Sequence, residues 1–451
     1  MSKSRTAAPK SVHRCSTCGA EHPKWSGQCG GCGEWNTLSE VLVARAGSIA
    51  AVDPGSAVAS SGPVPITELV DEPTTAVSTG MPELDRVLGG GLVPGSVTLL
   101  GGDPGVGKST VVLQLLAAQA RGGADCLYVT GEESAAQVAA RARRLNAIEE
   151  GLMLYAESSL PEILRVLAAQ RPSLCVVDSI QTMVDPTSQS APGSVSQVRD
   201  CANMLVSAAK TLGVTVVLVG HVTKDGSLAG PRVLEHVVDT VLNLEGDRQG
   251  ELRVLRAHKH RFGSTQEIGL FSMGSTGLES VADPSAMFLA DRRAGLPGSV
   301  VLPTLEGRRP MLVELQALTN GRQLAHPRRS AQGLETGRLE LLMAVIQGQQ
   351  RVRTVDLDVY ALAVGGVKVS DPGADLALCV AVMSSLHDVP CPGDIVLCGE
   401  VGLGGELRRV SALPQRLNEA ARHGFRRALV PNSAPAEHPD IEVLRVPTVR
   451  A

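Results

Sequence analysis

Short apolar runs alternate with amphipathic stretches of helical length from about residue 77 to residue 282. Five of the apolar runs predict strands, at residues 96–100, 126–129, 174–177, 214–219 and 238–242. Three intervening stretches predict helices, at residues 109–121, 134–145 and 198–212. Strands that alternate with helices pair in parallel, because each crossover helix returns the chain to the same end of the sheet. The pattern therefore predicts an α/β core built on a parallel sheet.

The pattern changes after Asp283 and Pro284. Further strands are predicted at residues 298–301 and 395–399, and further helices at residues 334–346, 374–384 and 415–423. Residues 44–65 are mostly Ala, Gly, Ser, Val and Pro without either periodicity, which predicts a flexible linker. We therefore divide the chain into a head at 1–43, a linker at 44–66, an α/β domain at 67–284 and an α+β domain at 285–451.

The bulk composition excludes several classes of protein. A chain of 451 residues is too long for one core, and with 43% hydrophobic residues and no apolar run near the ~20 needed to span a bilayer it is neither disordered nor membrane-spanning. The basic start, Met-Ser-Lys-Ser-Arg, has no apolar segment behind it, so we expect a cytoplasmic protein. A net charge of −4 and 2% aromatic residues mean that any contact with nucleic acid must come from local clusters.

A glycine-rich loop directly follows the predicted strand at 96–100. The loop and the start of the next helix consist of Gly102, Asp103, Pro104, Gly105, Val106, Gly107, Lys108, Ser109 and Thr110. The glycines let backbone N–H groups turn towards phosphates, and the helix N-terminus adds its positive end. Lys108 is predicted to neutralise the β- and γ-phosphates, and the Ser109 hydroxyl is predicted to bind Mg²⁺. Strand, loop and helix together predict a Walker A site for ATP.

Polar residues end three other predicted strands. Asp178 follows the strand at 174–177 and is predicted to orient the Mg²⁺ shell. Glu132 and Glu133 follow the strand at 126–129; we assign Glu132 to the attacking water and Glu133 to the start of the next helix, although both could serve only that helix. His221 follows the strand at 214–219 and is the candidate sensor of the γ-phosphate, with a hydrogen-bonded strand-end histidine as the alternative. Together with Lys108, these residues predict ATP hydrolysis.

Two Cys-x-x-Cys pairs lie in the head. Cys15, Cys18, Cys29 and Cys32 have the spacing that places four thiolates around one tetrahedral Zn²⁺ without an open position, which predicts a structural four-cysteine zinc knuckle. We expect Trp25 and Trp35 to pack on the knuckle, because so short a module has little other core.

Taken in order along the chain, these motifs closely resemble the RadA (Sms) family of bacterial DNA repair proteins over nearly the whole length. The segments that carry the resemblance are 32–37, 78–80, 83–91, 131–134, 178–182 and 220–224. The resemblance implies a RecA-like P-loop core and a homo-hexameric ring around single-stranded DNA. It also implies action on branched recombination intermediates, with a recombinase or a replicative helicase as a further partner.

The family's characteristic pentapeptide is Lys-Asn-Arg-Phe-Gly, and the matching residues here are Lys259, His260, Arg261, Phe262 and Gly263, with His in place of Asn. The resemblance implies that this segment binds DNA and couples binding to hydrolysis. The local chemistry permits phosphate contacts, an arginine finger from Arg261 and stacking of a base on Phe262, while Lys224 would add a further DNA contact. The alternative is a basic turn on a solvated face.

From Leu334 onward the chain resembles the proteolytic domain of the Lon family, an α+β fold of the ribosomal S5 type. Lon peptidases use a Ser and a Lys, and the matching positions here hold Gly373 and Arg416. Glycine offers no nucleophile, and an arginine does not lose its proton to act as a base. We therefore expect a scaffold without peptidase activity that supports ring assembly. Its surface arginines either contact DNA or are an ordinary solvated surface; these are Arg408, Arg409, Arg426 and Arg427.

The sequence thus predicts a DNA-dependent ATPase that uses ATP, Mg²⁺ and one structural Zn²⁺, and that promotes branch migration of recombination intermediates. Three alternatives from other classes stay open at this point. They are a replicative-type hexameric helicase, an ATP-dependent protease and an ATP-dependent switch that binds proteins instead of DNA.

Overall fold

A computed structural model describes most of the chain. The described residues are 11–15, 20–22, 24–35, 37–42, 75–188, 190–220, 233–246, 250–321, 327–350, 352–434 and 437–451. The predicted linker and three of the predicted site residues, Cys18, His221 and Lys224, lie outside these ranges. The chain forms two compact units, residues 1–72 and residues 73–451.

The first unit contains a three-stranded antiparallel sheet formed by β1 (Ser11–Cys15), β2 (Glu21–His22) and β3 (Leu38–Leu42), in the order β2-β1-β3. A turn at Cys29 lies between β2 and β3, where the amide of Gly33 donates to the Cys29 carbonyl at 2.9 Å. Trp25 and Trp35 are 58% and 67% exposed, so neither indole is buried, although the Trp35 ring lies close to Gly27, where an added Cβ would be 3.5 Å from its Cζ3. Among the residues of this unit whose burial is described, Cys29 is the buried hydrophobic residue, and Ala20 packs against it.

The first half of the second unit is a nine-stranded sheet with helices on both faces. Its elements are α1 (Pro82–Val87), β4 (Val97–Gly102), α2 (Lys108–Arg121), β5 (Cys126–Thr130), α3 (Ala135–Arg144), β6 (Leu152–Ala156), α4 (Leu160–Gln170), β7 (Leu174–Asp178), α5 (Val195–Leu212), β8 (Thr215–Val219), α6 (Val233–Val237), β9 (Thr240–Glu245), β10 (Leu252–His260), β11 (Ile268–Gly274) and β12 (Gly277–Ser280).

The strand order is β12-β11-β10-β9-β4-β8-β7-β5-β6. The six strands from β9 to β6 are parallel, and β10, β11 and β12 extend the sheet in antiparallel fashion. The parallel core that the sequence predicts is therefore confirmed, with all five strands and all three helices in place. The antiparallel extension and β6 were not predicted; β6 is an edge strand and none of its five residues is fully buried.

Two apolar layers hold this sheet between its helices. On one face, Val87 of α1, Leu116 of α2 and Val138 of α3 pack with Tyr128 and Val176 of the sheet. On the other face, α4, α5 and α6 pack against the alternate residues of the same strands. The helices cover both faces of the sheet and leave the carboxyl ends of the parallel strands uncovered. We call this end of the sheet the carboxyl edge.

The second half of this unit is a seven-stranded mixed sheet with the order β15-β16-β14-β13-β17-β20-β21. Its elements, together with a separate pair of short strands, are α7 (Pro284–Leu289), β13 (Ser299–Glu306), β14 (Arg309–Gly321), β15 (Arg329–Gln332), α8 (Thr336–Gln350), β16 (Leu357–Ala363), α9 (Ala374–His387), β17 (Ile395–Leu397), β18 (Glu400–Val401), β19 (Leu407–Arg408), α10 (Leu413–Arg422), β20 (Arg427–Pro431) and β21 (Glu442–Val446). The predicted strands at 298–301 and 395–399 correspond to β13 and β17. The three predicted helices correspond to α8, α9 and α10.

The two sheets of the second unit are joined by a buried contact. Ile268 of β11 belongs to the same apolar cluster as Leu302 and Val313 of the seven-stranded sheet. Beside that cluster, Glu83 of α1 pairs with Arg309 of β14, and both side chains are almost fully buried. Glu83 also accepts a hydrogen bond from the amide of Leu270 at 2.8 Å. The seven-stranded sheet is thus anchored to the antiparallel end of the first sheet.

Candidate active site

The loop after β4 has the backbone shape of a phosphate cradle. Gly102 and Gly107 have φ angles of 151° and 118°, and Gly107 directly precedes α2. A Cβ on Gly102 would lie 2.5 Å from the Leu244 carbonyl oxygen, and one on Gly107 would lie 2.6 Å from the Cε of Met273. Gly102 therefore requires glycine for conformation and for space, whereas Gly107 requires it for conformation, since the end of the Met273 side chain can move. The loop leaves the N-terminus of α2 pointing along the sheet edge, where backbone N–H groups and the helix dipole favour an anion.

Lys108 begins α2 and is 5% exposed. Its ammonium donates to the carbonyl oxygens of Gly102 at 2.7 Å and of Asp103 at 3.0 Å, so the side chain lies across the loop. Burial lowers the pKa of Lys108, and the carboxylates of Asp178, Asp103 and Glu132 partly offset that effect. The amine is thus a poorly hydrated cation beside the loop, the environment in which a phosphate is its best partner.

Asp178 ends β7 and is 6% exposed. The phenol of Tyr128 donates a hydrogen bond to its Oδ2 at 2.6 Å. Burial and the neighbouring Asp178 carboxylate raise the pKa of Tyr128 above its usual value, so the phenol is neutral and acts as the donor. An Asp carboxylate and the Ser109 hydroxyl on the first turn of α2 are oxygen ligands of the type that Mg²⁺ prefers. The residues present therefore fit a magnesium site.

Glu132 and Glu133 contact different residues. Glu132 lies two residues beyond Thr130, which pairs with Asp178 across β5 and β7, and it accepts a hydrogen bond from the Ser179 hydroxyl. Glu133 instead pairs with Arg141 of α3, with 2.5 Å between Oε1 and Nη2. Helix α3 begins after Ser134, whose amide donates to the Gln137 side chain at 2.9 Å in a capping box. The structure therefore brings Glu132 to the edge that carries Asp178 and assigns Glu133 to the helix.

The carboxyl end of β8 lies beside those of β4 and β7. The amide of Gly220 donates to the Leu100 carbonyl at 2.9 Å, and Val219 pairs with both Leu100 and Asp178. His221 is the next residue and lies beyond the described range. Its predicted role as a γ-phosphate sensor thus remains a prediction.

The segment 259–263 lies near the amino-terminal ends of the parallel strands, opposite the carboxyl ends that carry the phosphate loop. Strand β10 is antiparallel to β9, and its last residue, His260, pairs with Thr240. Thr240 is level with Thr98 of β4, whereas the phosphate loop begins at Gly102. Thr98 and Gly102 are four residues apart along β4, a distance of about 13 Å. This segment therefore lies away from the phosphate loop of its own chain.

Each of the larger side chains of this segment has a distinct environment. The Lys259 ammonium donates to the carbonyls of Glu235 at 2.6 Å and Val238 at 2.7 Å, and burial lowers the pKa of Lys259. Arg261 pairs with Asp239 at 3.0 Å but remains half exposed, and Phe262 is 46% exposed. The side chains of Arg261 and Phe262 are thus accessible at the surface.

His260 has two hydrogen-bond contacts, one through each ring nitrogen. Nδ1 lies 3.0 Å from the Thr240 hydroxyl oxygen and Nε2 lies 3.1 Å from the Leu88 carbonyl oxygen. The ring also meets Phe262 edge to face at 6.1 Å. Burial lowers the pKa of His260, so the ring is neutral at pH 7 and donates from Nε2 to Leu88. His260 thereby ties the end of β10 to the end of α1.

Arg253, at the other end of β10, was not a predicted site residue. It is 4% exposed, and its Nε donates to the carbonyl of Val106 in the phosphate loop at 2.9 Å. Its Nη1 also donates to the Leu252 carbonyl at 2.9 Å. Strand β10 therefore contacts the phosphate loop at its start and carries Lys259 and His260 at its end.

In the head, the described cysteines are compatible with a metal knuckle. The amide of Gly31 donates to the Sγ of Cys29 at 3.4 Å, and His22 Nε2 lies 3.5 Å from the same sulfur. An N–H bond to sulfur favours the deprotonated form that a metal requires. Cys29 and Cys32 belong to one Cys-x-x-Cys turn, while Cys15 ends β1 and Cys18 is outside the described residues.

The tail places the two Lon-like positions side by side. A Cβ on Gly373 would lie 3.4 Å from Nη1 of Arg416. Arg416 is 1% exposed; it donates to the carbonyls of Pro303 at 2.8 Å and Ser411 at 2.9 Å, and it pairs with Asp371. Burial alone would raise the pKa of Asp371, but the hydrogen bond and charge of Arg416 outweigh it and hold that pKa below its usual range. The position of a peptidase lysine is thus filled by a buried, ion-paired arginine.

Comparison with known proteins identifies the family. The chain is 51% identical to the DNA repair protein RadA of Pseudomonas aeruginosa, over 96% of this chain and 95% of that protein. It is 49% identical to the DNA repair protein RadA of Escherichia coli and 46% identical to that of Bacillus subtilis, each over 94% of this chain and 93% of the relative. The chain belongs to the RadA family of DNA repair proteins. The resemblance noted in the sequence is confirmed over nearly its whole length.

Three family models match parts of this RadA-family chain. The rubredoxin metal binding domain matches residues 13–40, the AAA domain matches residues 63–227, and subunit ChlI of Mg-chelatase matches residues 350–434. A KaiC-like protein from Pyrococcus horikoshii is similar over 46% of this chain and 100% of its own, at 22% identity and a TM-score of 0.40. The chain is a RecA-like ATPase with a zinc ribbon and a Lon-like domain. None of the described helices is long and apolar enough to cross a membrane.

Proposed function

We propose that this ATPase is a DNA motor that binds single-stranded DNA and promotes branch migration and processing of recombination intermediates. Its relatives are named DNA repair proteins, and they align with the chain over more than nine tenths of its length. The observation that carries the proposal is the gathering of Lys108, Glu132 and Asp178 at one edge of the sheet, with segment 259–263 presented at the other edge. One end of the domain has the groups for hydrolysis, and the other has groups for a polyanion.

Hydrolysis would use each residue of the first edge in a separate role. The backbone from Gly102 to Thr110 binds the phosphates, and Lys108 neutralises the β- and γ-phosphates. Ser109 and Asp178 would hold Mg²⁺, and the bound ion would neutralise developing charge on the phosphate oxygens. Glu132 orients the attacking water and accepts its proton. The contact of Glu133 with Arg141 supports Glu132 over Glu133 for that role.

The DNA side of the proposal rests on the place of segment 259–263. Since Arg261 lies on the edge opposite its own phosphate loop, it would act as an arginine finger only on the nucleotide of a neighbouring subunit. A homo-hexameric ring would supply that neighbour at every interface. Phe262 is exposed enough to stack on a base, and Lys259, Arg261 and Lys224 add positive charge.

Two carbonyl contacts support a coupling role for Lys259. The ammonium binds the carbonyls of Glu235 and Val238, at the end of the chain segment that begins with His221 and includes Lys224. In this proposal, a change that His221 senses at the γ-phosphate passes along the chain to Glu235 and Val238, and from their carbonyls to Lys259. His260 keeps the segment attached to α1 through Leu88, in the place where the family has Asn.

The remaining parts of the chain would support this motor. Cys15, Cys18, Cys29 and Cys32 hold one structural zinc ion in the head. The tail serves ring assembly without peptidase activity, because Arg416 is ion-paired with Asp371 and Gly373 has no nucleophile. Arg409 and Arg426 are exposed for DNA, whereas Arg408 and Arg427 pair with Glu406 and Asp394. We place the protein in the cytoplasm on the nucleoid, with a recombinase or replicative helicase as partner.

Branch migration is tested with a three-stranded joint molecule supplied with ATP and Mg²⁺. We expect extension of the heteroduplex by the wild-type chain and none by Lys108→Ala. Unwinding of a plain forked duplex at an equal rate would favour a replicative-type helicase instead. Binding to single-stranded DNA that weakens steeply with salt would exclude a switch that binds only proteins. Casein degradation that is abolished by Arg416→Ala would contradict the scaffold assignment and support a protease.

A further inference from the structure

We propose that Tyr128 is a positioning residue for the magnesium site: its phenol holds one oxygen of Asp178 and directs the other oxygen to the metal shell. This inference rests on the proposed role of Asp178 as the residue that orients that shell. It assigns a function to a strand residue that sequence alone marks only as apolar core.

The strand register places Tyr128 beside Asp178. Tyr128 pairs with Val176 across β5 and β7, and Thr130 pairs with Asp178. Asp178 is therefore the diagonal neighbour of Tyr128 on the same face of the sheet, within reach of a long aromatic side chain. That face is covered by α2, the helix that begins with Lys108. The phenol thus approaches Asp178 from the packed interior and not from the solvent side.

The hydrogen bond from Tyr128 engages one carboxylate oxygen of Asp178 and leaves the other for the metal. Tyr128 Oη lies 2.6 Å from Oδ2, and in the described part of the chain it is the sole hydrogen-bond donor to that carboxylate. With Oδ2 engaged, Oδ1 is the oxygen left for the magnesium shell. Partners that orient a metal ligand in this way contribute about 10- to 100-fold to metal affinity.

The same contact has a simpler explanation, in which Tyr128 fills the core and Asp178 merely satisfies a buried hydroxyl. Tyr128 is 1% exposed and packs among apolar side chains, so its ring contributes to the core in either case. The two explanations differ in what the hydroxyl does for metal binding. Tyr128→Phe removes the hydroxyl and keeps the ring, so it separates them.

The test measures binding of Mn²⁺, a paramagnetic substitute for Mg²⁺, to the full-length chain loaded with ADP, by the decrease of the free Mn²⁺ resonance signal. We expect Tyr128→Phe to weaken Mn²⁺ binding about tenfold, while ADP binding measured in EDTA stays within about twofold of wild type. In hydrolysis, the apparent KM for Mg²⁺ should rise by a similar factor, and kcat at saturating Mg²⁺ should largely recover. A role confined to core packing would alter the melting temperature without this split between KM and kcat.

Two further variants decide how each outcome is interpreted. Tyr155→Phe removes a phenol from the neighbouring strand β6, away from the carboxylate, and should leave Mn²⁺ binding unchanged. Asp178→Asn should weaken Mn²⁺ binding more than Tyr128→Phe does. If Asp178→Asn has no effect on Mn²⁺ binding, the proposed metal role of Asp178 fails, and the role of Tyr128 fails with it. If Asp178→Asn weakens Mn²⁺ binding and Tyr128→Phe leaves it within twofold of wild type, the inference about Tyr128 is overturned and the metal role of Asp178 stands.

Discussion

Glu132 accepts a hydrogen bond from the hydroxyl of Ser179, the residue that follows Asp178 at the end of the neighbouring strand. The contact fixes the carboxylate at the carboxyl edge, since Ser179 is fully buried there. The adjacent carboxylate, on Glu133, is held by Arg141 on the helix instead. Two neighbouring glutamates therefore have different partners: Glu132 contacts the end of β7, and Glu133 contacts a helix residue.

This difference in partners predicts opposite outcomes for two matched substitutions. Glu132→Gln should lower kcat for ATP hydrolysis by about 100-fold or more, because an amide cannot accept the proton of the attacking water. Glu133→Gln should lower it by less than about threefold, since Glu133 loses only a partly exposed ion pair. Both variants should bind a fluorescent ADP analogue as wild type does. A larger loss of kcat in Glu133→Gln than in Glu132→Gln would reverse the assignment.

Removal of the loop lysine tests the phosphate site itself. Lys108→Ala should abolish hydrolysis, because no other cation in the described part of the loop can neutralise the β- and γ-phosphates. The matched control is Lys368→Ala in the tail, where the lysine is exposed, and it should keep wild-type turnover. Steady-state phosphate release measures both variants. Turnover within tenfold of wild type for Lys108→Ala would be incompatible with a Walker A role.

Zinc content tests the head. The wild-type chain should contain one zinc ion, and the double substitution Cys15→Ser, Cys18→Ser should lose it, because the four thiolates form one closed site. Cys391→Ser, which removes a half-buried thiol in the tail, should leave the zinc content unchanged. Elemental analysis of the purified chains provides the measurement. A zinc content unaffected by the double substitution would refute the assignment of these ligands.

The Asp371–Arg416 pair predicts a dependence of stability on pH. Arg416 holds the pKa of Asp371 below its usual range, so the stabilisation is complete above the pKa of an unfolded Asp, ~3.9, and is lost as the pH falls through the lower folded value. Arg416→Met should lower the melting temperature at neutral pH, since it leaves a buried carboxylate unpaired at a cost of about 3–5 kcal/mol. It should also flatten the acid limb of melting temperature against pH. An acid limb identical to that of wild type would show that the pair does not control it.

The features that follow from local pattern could be predicted from the sequence. Strand β4, the glycine loop and α2 occupy consecutive residues with clear periodicity, so the strand–loop–helix order around Lys108 was predicted correctly. Asp283, where the sequence pattern changes, caps α7 and accepts a hydrogen bond from the Ala286 amide at 2.9 Å. Gly373 and Arg416 were aligned by resemblance, and the structure places them in contact distance.

The features that depend on distant contacts could not be predicted. Tyr128 has the sequence signature of any buried strand residue, and only the pairing of β5 with β7 brings its hydroxyl to Asp178. Arg253 reaches the phosphate loop across 147 positions of sequence, and an arginine is expected at the surface when nothing indicates a partner. The distance of segment 259–263 from its own phosphate loop follows from the antiparallel direction of β10, which the sequence pattern did not establish.

The rate of ATP hydrolysis with and without single-stranded DNA tests the central claim most directly. We predict that DNA stimulates hydrolysis by the wild-type chain. Lys259→Ala and Arg261→Ala should lose more of the stimulated rate than of the basal rate, because their side chains lie away from their own phosphate loop. Arg165→Ala, which removes an exposed arginine on α4, should keep the full stimulation. A wild-type rate that does not change with DNA, or an equal loss of basal and stimulated rates in Lys259→Ala and Arg261→Ala, would contradict the account.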